Sequence, residues 1–128
     1  MTKLSVWIVV AVLGLAIALV AAPAGVAKSP GVRVPGVCTA ASTSKLKLKG
    51  EDGRIEVEFE VDQNRNGVRW NVVLLQNGRR IARMARVTRA PSGSFTTRKL
   101  AADTSATDRF TARATSPSHE VCTARASI

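Results

Sequence analysis

From residue 43 onward, hydrophobic and polar residues alternate with a period of two, which is the pattern of β-strands that bury one face. The alternation is clearest over residues 54–62, RIEVEFEVD, where each charged residue is followed by an apolar one or precedes a turn. A Leu-Lys alternation over 45–49 comes before it, and a similar pattern begins at Trp70. Seven strands are predicted in this way, at about 43–49, 54–62, 68–76, 79–88, 94–100, 108–115 and 120–128.

The segments between these strands contain residues that favour tight turns. Asn77-Gly78 is a strong hairpin signal, because both residues readily adopt the positive φ angles of a type I′ turn. The other connections carry Gly, Asn, Ser or Pro at 51–53, 64–67, 90–93 and 116–119. Seven short antiparallel strands in about 100 residues predict an all-β, two-sheet sandwich of immunoglobulin or fibronectin type III character. A small closed barrel is the alternative, and Trp70 is expected in the core of the sandwich.

The first 27 residues have the layout of an export signal. Lys3 supplies a positive start, and the apolar run 6–22 ends in small residues that offer cleavage sites after Ala24 and Ala27. We therefore expect a hydrophobic signal helix within 1–27, an extended leader at 28–37 and the sandwich domain over 38–128. The alternative is an uncleaved membrane anchor, because the apolar run is close to the shortest length that crosses a bilayer core of about 30 Å.

Cys38 and Cys122 bracket the predicted domain and are expected to form a disulfide. Exported proteins meet an oxidising environment, where two cysteines are paired rather than free. A zinc site would need further soft ligands, and His119 is the single histidine of the chain. The alternation places Cys122 on the inward face of the last strand. The bridge would close a loop of roughly 85 residues and contribute about 4–5 kcal/mol of stability.

Positive charge is the strongest functional signal in the sequence. The chain has 19 Lys and Arg against 9 Asp and Glu, a formal charge of +10, and loss of Lys3 with the signal leaves +9. Between Arg79 and Lys99 there are seven basic residues and no acidic one. Guanidinium groups match phosphate and carboxylate, so this stretch is a candidate site for anionic ligands. The candidate residues are Arg79, Arg80, Arg83, Arg86 and Arg89.

A second interpretation of the same charges is structural. Arginines on a solvated β-surface also protect a sheet edge against aggregation. The acidic residues concentrate at 51–62, and cross-strand ion pairs would neutralise part of both stretches if adjacent strands brought them together. Intracellular nucleic-acid binding is disfavoured by the export signal and by the lack of exposed aromatic residues for base stacking.

Two weaker patterns bear on metal binding and catalysis. Asp62, Asn64 and Asn66, followed by Gly67, match the first half of a calcium loop, but position 12 is Val73 rather than a bidentate glutamate. We therefore expect no metal and no cofactor, with these three residues as a weak calcium candidate. No base and nucleophile form a recognisable set, and the strand glutamates share one solvent-facing row, so the protein is expected to be non-enzymatic.

The segments KLKLK (45–49), RIEVEFEVDQNRNG (54–67) and RWNVVLLQNGRR (69–80) carry a resemblance to a known group of proteins. With the Ala- and Arg-rich composition and the late Cys122, the sequence resembles small exported immunoglobulin- or fibronectin III-like β-sandwich proteins of high-GC Gram-positive bacteria. The resemblance covers roughly residues 38–128 and implies a fold rather than an activity.

These observations predict a secreted or envelope-associated β-sandwich that binds anionic envelope or extracellular polymers through an Arg-rich strand pair. One alternative is a secreted inhibitor or protein-binding module that uses a loop such as Ala90 to Ser94. Another is an accessory domain tethered to the membrane by an uncleaved run from Val6 to Ala22.

Overall fold

Nine β-strands and no helix make up the described part of the chain. A computed structural model describes residues 18, 20 and 31–128. The strands are β1 (Val32–Pro35), β2 (Val37–Cys38), β3 (Thr43–Glu51), β4 (Arg54–Asp62), β5 (Arg69–Gln76), β6 (Arg79–Val87), β7 (Ser94–Ala102), β8 (Arg109–Thr115) and β9 (Val121–Ser127). The predicted signal helix and its cleavage sites lie outside the described residues.

The strands form two antiparallel sheets that pack face to face. One sheet has four strands in the order β1-β3-β4-β7, and the other has five in the order β2-β9-β8-β5-β6. β3–β4, β5–β6 and β8–β9 are hairpins within one sheet, while β4–β5, β6–β7 and β7–β8 cross between the sheets. The prediction of an all-β antiparallel sandwich is confirmed, and the seven predicted strands correspond to β3–β9.

The inward residues of both sheets fill one core. Trp70 is fully buried on β5, and its ring centroid lies 6.1 Å from that of Phe95 on the opposite sheet, at an interplanar angle of 54°. Its Nε1 donates a hydrogen bond of 3.1 Å to Oε1 of Gln63, so the one polar atom of the ring has a partner. Burying each large apolar side chain contributes about 1.5–3 kcal/mol, and the scarcity of aromatics leaves most of this burial to Leu, Val, Ile and Ala.

The N-terminal segment differs from the prediction of an extended leader with little structure of its own. Val32–Pro35 pairs with β3 in the four-stranded sheet, and Val37–Cys38 pairs with β9 in the five-stranded sheet. Gly36 makes the change of sheet possible: its N–H donates to the Ser44 carbonyl at 2.8 Å, and a Cβ there would lie against the Ser44 hydroxyl. The prolines and glycines of this segment hide its pairing from a periodicity argument, yet it belongs to the sandwich.

The predicted disulfide is present and joins β2 to β9. Cys38 and Cys122 lie directly opposite each other in adjacent strands, with their Cα atoms 4.0 Å apart. Cys122 is fully buried and faces inward, as predicted. The bond therefore clamps the N-terminal strand to the C-terminal strand of one sheet, and a buried disulfide indicates an oxidising environment.

The hairpin turns follow the predicted backbone chemistry. Asn77 has φ of 50° and Gly78 has φ of 79°, the positive values that a type I′ turn requires. Asp52 and Gly53, with φ of 49° and 75°, form the same kind of two-residue connection between β3 and β4. These turns fix the register of both hairpins, and hence which side chains face outward.

A buried carboxylate fastens one end of the five-stranded sheet. Asp108 accepts hydrogen bonds from the side chains of Gln76 (2.9 Å) and Asn77 (3.0 Å), and from the backbone and hydroxyl of Thr104 (both 2.9 Å). Burial by itself raises the pKa of Asp108, but these hydrogen bonds together outweigh it and hold the pKa below its usual value of 3.8. The β5–β6 turn and the β7–β8 connection are thus held together by an ionised group.

Candidate functional site

The outer face of the five-stranded sheet is lined with arginines. Inward residues of β5, β8 and β9 are buried, so the alternate residues and their cross-strand partners face outward. A bulge in β6 changes the alternation there: Leu74 pairs with Ala82 but Leu75 pairs with Arg80, which leaves Ile81 as the extra residue. Six arginines share this face, which we call the outer arginine face: Arg69, Arg80, Arg83, Arg109, Arg113 and Arg125.

The central arginines stand on both sides of β5. Val73 pairs with Arg83 on β6 and with Arg113 on β8, so these three residues form one row across the sheet. In the next row, Leu75 pairs with Arg80 on β6 and with Thr111 on β8. Since neighbouring strands lie about 4.8 Å apart, the backbones of Arg83 and Arg113 are about 10 Å apart, with an apolar floor between them.

A shallow trough of about 490 Å³ follows this floor. Arg80 and Arg83 line it on the β6 side, and Arg113 and Arg125 line it on the side of β8 and β9. The floor and the spaces between the arginines are formed by residues without charge, namely Asn71, Val73, Leu75, Thr111, Thr115 and Thr123. The trough is therefore elongated, cationic at its rims and neutral at its base.

None of the six arginines has a carboxylate partner within residues 31–128. The ion pairs of this part of the chain lie on the other sheet, where Lys45 contacts Glu60 at 3.4 Å and Arg98 contacts Glu58 at 3.3 Å. The strands of the outer arginine face contribute no Asp or Glu to it. The expected neutralisation of the basic stretch by the acidic one occurs at Arg98 and does not reach β6, because β4 and β6 lie in different sheets.

Of the five arginines predicted from the sequence, the structure brings two together in the trough. Arg80 and Arg83 are exposed on the outer arginine face. Arg79 pairs with the buried Gln76 at the start of β6, and Arg86 pairs with the buried Trp70, so both follow the opposite side of the strand. Arg89 lies beyond β6, where its backbone bridges to Ser94. A run of arginines in one strand is thus divided between two sides by the alternation of the strand.

Four further arginines, none of them a predicted site residue, complete the face. One is Arg69 on β5, and the other three are Arg109, Arg113 and Arg125. Arg109 and Arg113 lie on β8, which pairs with the distant strand β5, and Arg125 lies on β9, which pairs with β8. The alternation RFTARAT over 109–115 was a visible signal that arginines and threonines share one face. The sequence does not reveal that this face continues that of β6, because the order of the strands is a property of the whole fold.

In the weak calcium candidate formed by Asp62, Asn64 and Asn66, one carboxylate oxygen already accepts a backbone hydrogen bond. Oδ1 of Asp62 accepts a hydrogen bond of 3.0 Å from the backbone N–H of Asn64, while Asn66 is exposed. In the described ranges, no group of three or more His, Cys, Asp or Glu residues could hold a metal ion. An Asx turn accounts for Asp62 and Asn64 on backbone grounds, and calcium binding here stays a weak prediction.

The single histidine of the sequence lies in the turn before β9, next to a buried carboxylate. His119 is exposed with φ of 67°, and the neighbouring Glu120 is buried. The Glu120 carboxylate accepts hydrogen bonds from the backbone N–H of Ser42 at 3.0 Å and from its hydroxyl at 2.6 Å. Glu120 therefore joins the β8–β9 turn to the segment before β3, which is a structural use of the carboxylate.

The loop offered for protein binding, Ala90 to Ser94, is short and closed by its own backbone. The N–H of Gly93 donates to the carbonyl of Arg89 at 2.9 Å, and Gly93 has φ of 67°. A side chain at Gly93 would collide with the backbone of Arg65, so this loop packs against the β4–β5 connection. Protein binding through this loop stays a prediction.

No protein-family model matches this chain, and no curated protein or solved structure is significantly similar to it. Among residues 18, 20 and 31–128, no helix is long and apolar enough to cross a membrane. Its function is therefore inferred from the residues and geometry of the sandwich.

Proposed function

We propose that this protein is a secreted, non-enzymatic β-sandwich that binds anionic polymers at or outside the cell envelope through the outer arginine face. The observation that carries the proposal is a face of six arginines, none paired with a carboxylate in the described structure. Guanidinium groups bind phosphate and carboxylate through two parallel hydrogen bonds, and an unpaired guanidinium has all its donors available.

The shape of the face favours a long ligand over a small one. The trough is shallow and open, and its arginines are distributed over β6, β8 and β9 rather than converging on one point. A polymer with several negative charges contacts many of these arginines at once, whereas a single anion contacts one or two. Binding through several exposed contacts is strengthened by the release of counterions and weakened by salt.

The strand order supports an immunoglobulin- or fibronectin III-like assignment for the fold. In the immunoglobulin order, the first, second and fifth strands share one sheet, and the third, sixth and seventh share the other. Counted from β3, the chain has the same division: β3, β4 and β7 in one sheet, and β5, β8 and β9 in the other. The fourth strand, β6, lies beside the third, and the clamp at Cys38 replaces the intersheet disulfide of antibody domains.

Two features support export. The disulfide between Cys38 and Cys122 fits an oxidising compartment, and the apolar run 6–22 with its small-residue exit fits a cleaved signal. The polymers met there include wall polymers, extracellular DNA and other phosphate- or carboxylate-bearing chains.

The proposal is tested by removing the same number of charges from each sheet. The triple variant Arg83→Gln, Arg113→Gln and Arg125→Gln alters the trough, and Lys45→Gln, Lys47→Gln and Lys49→Gln is the matched control on the four-stranded sheet. Binding to fluorescent inorganic polyphosphate is measured by anisotropy over a series of salt concentrations. At about 1 kcal/mol for each exposed contact, the trough variant should bind about 100-fold more weakly. Its log–log salt slope should fall by about two to three, while the control changes little.

Equal losses in the two triple variants would show that net charge alone determines binding. No measurable binding of the unaltered protein to polyphosphate or to polyglutamate at low salt would remove the proposal altogether. The circular dichroism of each variant provides the check on folding, and all six positions lie on outer faces of the strands.

A further inference from the structure

Arginines and hydroxyl residues alternate in two directions on the β8–β9 hairpin. Along β8, outward residues follow the order Arg109, Thr111, Arg113 and Thr115. Across to β9, each arginine is opposite a hydroxyl residue: Arg109 pairs with Ser127, Thr111 with Arg125, and Arg113 with Thr123. We call these six paired residues the Arg/hydroxyl checkerboard. Each guanidinium in it has a hydroxyl neighbour both along and across the strands.

The hydroxyl groups of the checkerboard lie lower than the guanidinium groups and are available for binding. Thr111 and Thr123 are half-buried, while Arg113 and Arg125 are exposed. Among the hydrogen bonds of residues 31–128, none involves the side chain of either threonine. Each hydroxyl can both donate and accept a hydrogen bond, whereas a guanidinium only donates.

The neutral part of the trough has no flat aromatic surface. Val73 and Leu75 form its floor, and the aromatic residues Trp70, Phe95 and Phe110 are buried in the core. Base stacking on aromatic side chains is the main sequence-tolerant contribution to single-stranded nucleic-acid binding. The face therefore has guanidinium groups that can bind phosphates and hydroxyl groups that can bind other hydroxyls, but no aromatic ring on which a base could stack.

Taking the proposed function as its starting point, we infer that the outer arginine face selects polyol phosphates, polymers in which phosphodiesters alternate with hydroxyl-bearing carbons. Diagonal neighbours on a sheet are about 7–8 Å apart, so the arginines from Arg113 to Arg125 to Arg109 form a zigzag row with hydroxyls between them. A chain along this row contacts a guanidinium with each phosphate and a threonine or serine with the intervening polyol hydroxyls. Asn71, exposed on β5, extends the neutral polar contacts on the trough side.

The experiment compares polymers that carry equal charge but differ in hydroxyl content. The probes are a glycerol phosphate oligomer, inorganic polyphosphate and oligo(dT), matched for charge, together with phosphatidylglycerol vesicles. The protein variant is Thr111→Val with Thr123→Val, which keeps the β-branched shape and removes two hydroxyls. The matched control is Thr43→Val with Thr96→Val, two threonines on the outer face of the four-stranded sheet.

We expect the unaltered protein to bind the glycerol phosphate oligomer about tenfold more tightly than polyphosphate. The loss of two hydrogen bonds of about 0.5–1 kcal/mol each should weaken glycerol phosphate binding about 5- to 30-fold in the trough variant. Polyphosphate binding by the same variant should change less than about twofold, because only the arginines contact that probe. The control variant should bind both polymers as the unaltered protein does.

Two results would overturn the inference while leaving the proposed function in place. The first is equal affinity for all charge-matched polymers, with binding still dependent on Arg83, Arg113 and Arg125. In that case the checkerboard serves only to keep like charges apart across the strands. The second is tighter binding of oligo(dT) or of the vesicles than of the glycerol phosphate oligomer. Polyphosphate binding that does not respond to the arginine substitutions would instead contradict the proposed function itself.

Discussion

Six basic side chains stand on each outer face of the sandwich, but only one of the two faces also carries carboxylates. On the four-stranded sheet the basic residues are Arg33, Lys45, Lys47, Lys49, Arg54 and Arg98, and the acidic ones are Glu51, Glu56, Glu58, Glu60 and Asp62. On the five-stranded sheet, within the described strands, the outer arginine face has six basic residues and no acidic one. Two sheets of one small domain thus use the same charges in opposite ways.

Strand pairing explains the difference. In the four-stranded sheet, the outward glutamates of β4 lie opposite the lysines of β3, and Glu58 lies between Lys47 on β3 and Arg98 on β7. Opposite charges across strands contribute roughly 0.2–1 kcal/mol for each pair, and like charges cost similar amounts. The four-stranded face therefore gains stability from its cross-strand charge pairs, whereas the arginines of the five-stranded face lie opposite uncharged residues and gain none. The charges of the outer arginine face are thus left for an external ligand to neutralise.

The largest expected effect comes from removing the disulfide, which fixes the segment shared by the two sheets. The strand that carries β1 and β2 belongs to both sheets and is fixed to β9 by the disulfide. The double variant Cys38→Ala and Cys122→Ala should lose about 4–5 kcal/mol of unfolding free energy, because the unfolded chain regains the freedom of a long loop. Urea unfolding measures this loss, and the unaltered protein under reducing conditions is the control. An unchanged unfolding midpoint would contradict the structural role of the bond.

A smaller effect distinguishes Asp108, a buried carboxylate at one end of the five-stranded sheet, from the surface carboxylates of the other sheet. Asp108→Asn should cost about 1–3 kcal/mol at neutral pH, because an amide would place its N–H groups against the donors of Gln76 and Asn77. Because the pKa of Asp108 is lowered on folding, its stabilisation is present above the usual carboxyl pKa and is lost as pH falls below about 3.8.

The pH dependence of the unfolding free energy tests the role of the Asp108 carboxylate directly. The stabilities of the unaltered protein and of Asp108→Asn should approach each other as the pH falls through the acidic range, at low and at high salt alike, since all the partners of Asp108 are neutral. Asp103→Asn, at an exposed position near the same connection, is the control and should leave the profile unchanged. A difference that persists unchanged to pH 2 would refute the assignment.

The smallest expected effect concerns one ion pair of the four-stranded face. Glu58→Gln removes the partner of Arg98, whose side chain is 69% exposed, and should cost roughly 0.2–1 kcal/mol. Half-molar salt should remove most of this cost by screening the charges. The variant should also show weak, salt-sensitive binding to polyphosphate on this face, since Arg98 would then lose its carboxylate partner. A cost that is independent of salt would mean that packing, not charge, holds these side chains.

Local pattern was enough to predict most of the fold. The period-two alternation placed the strands from β3 to β9, put Trp70 and Cys122 in the interior and located the Asn77-Gly78 turn. These features depend on neighbours in sequence, or on a simple inward and outward alternation. The β1–β2 segment was missed because its pairing depends on Gly36, a residue that gives no periodic signal.

The candidate site could be predicted only in part, because it is assembled from distant strands. The sequence indicated Arg80 and Arg83, but grouped them with Arg86 because all three lie in one run. The extra residue Ile81 in β6 breaks the simple alternation, so counting along the sequence gives the wrong face for Arg80. The checkerboard lies within the β8–β9 hairpin, but its position across the trough from Arg80 and Arg83 depends on the pairing of β8 with β5, which no local pattern specifies.

The disulfide beside the change of sheet also determines how the domain would carry a mechanical load. Tension applied between the leader and the C-terminus would pass from Cys38 to Cys122 through the covalent bond, which spans a sequence separation of 84. The parts of the chain along that path are β1 with its pairing to β3, β2 with its pairing to β9, and the residues of β9 that follow Cys122. Arg125 lies outside the closed loop, three residues after Cys122. Strands β3 to β8, which carry the other five arginines of the outer arginine face, lie inside it, so a polymer bound to them would be held against a pull on either end without these strands being drawn apart.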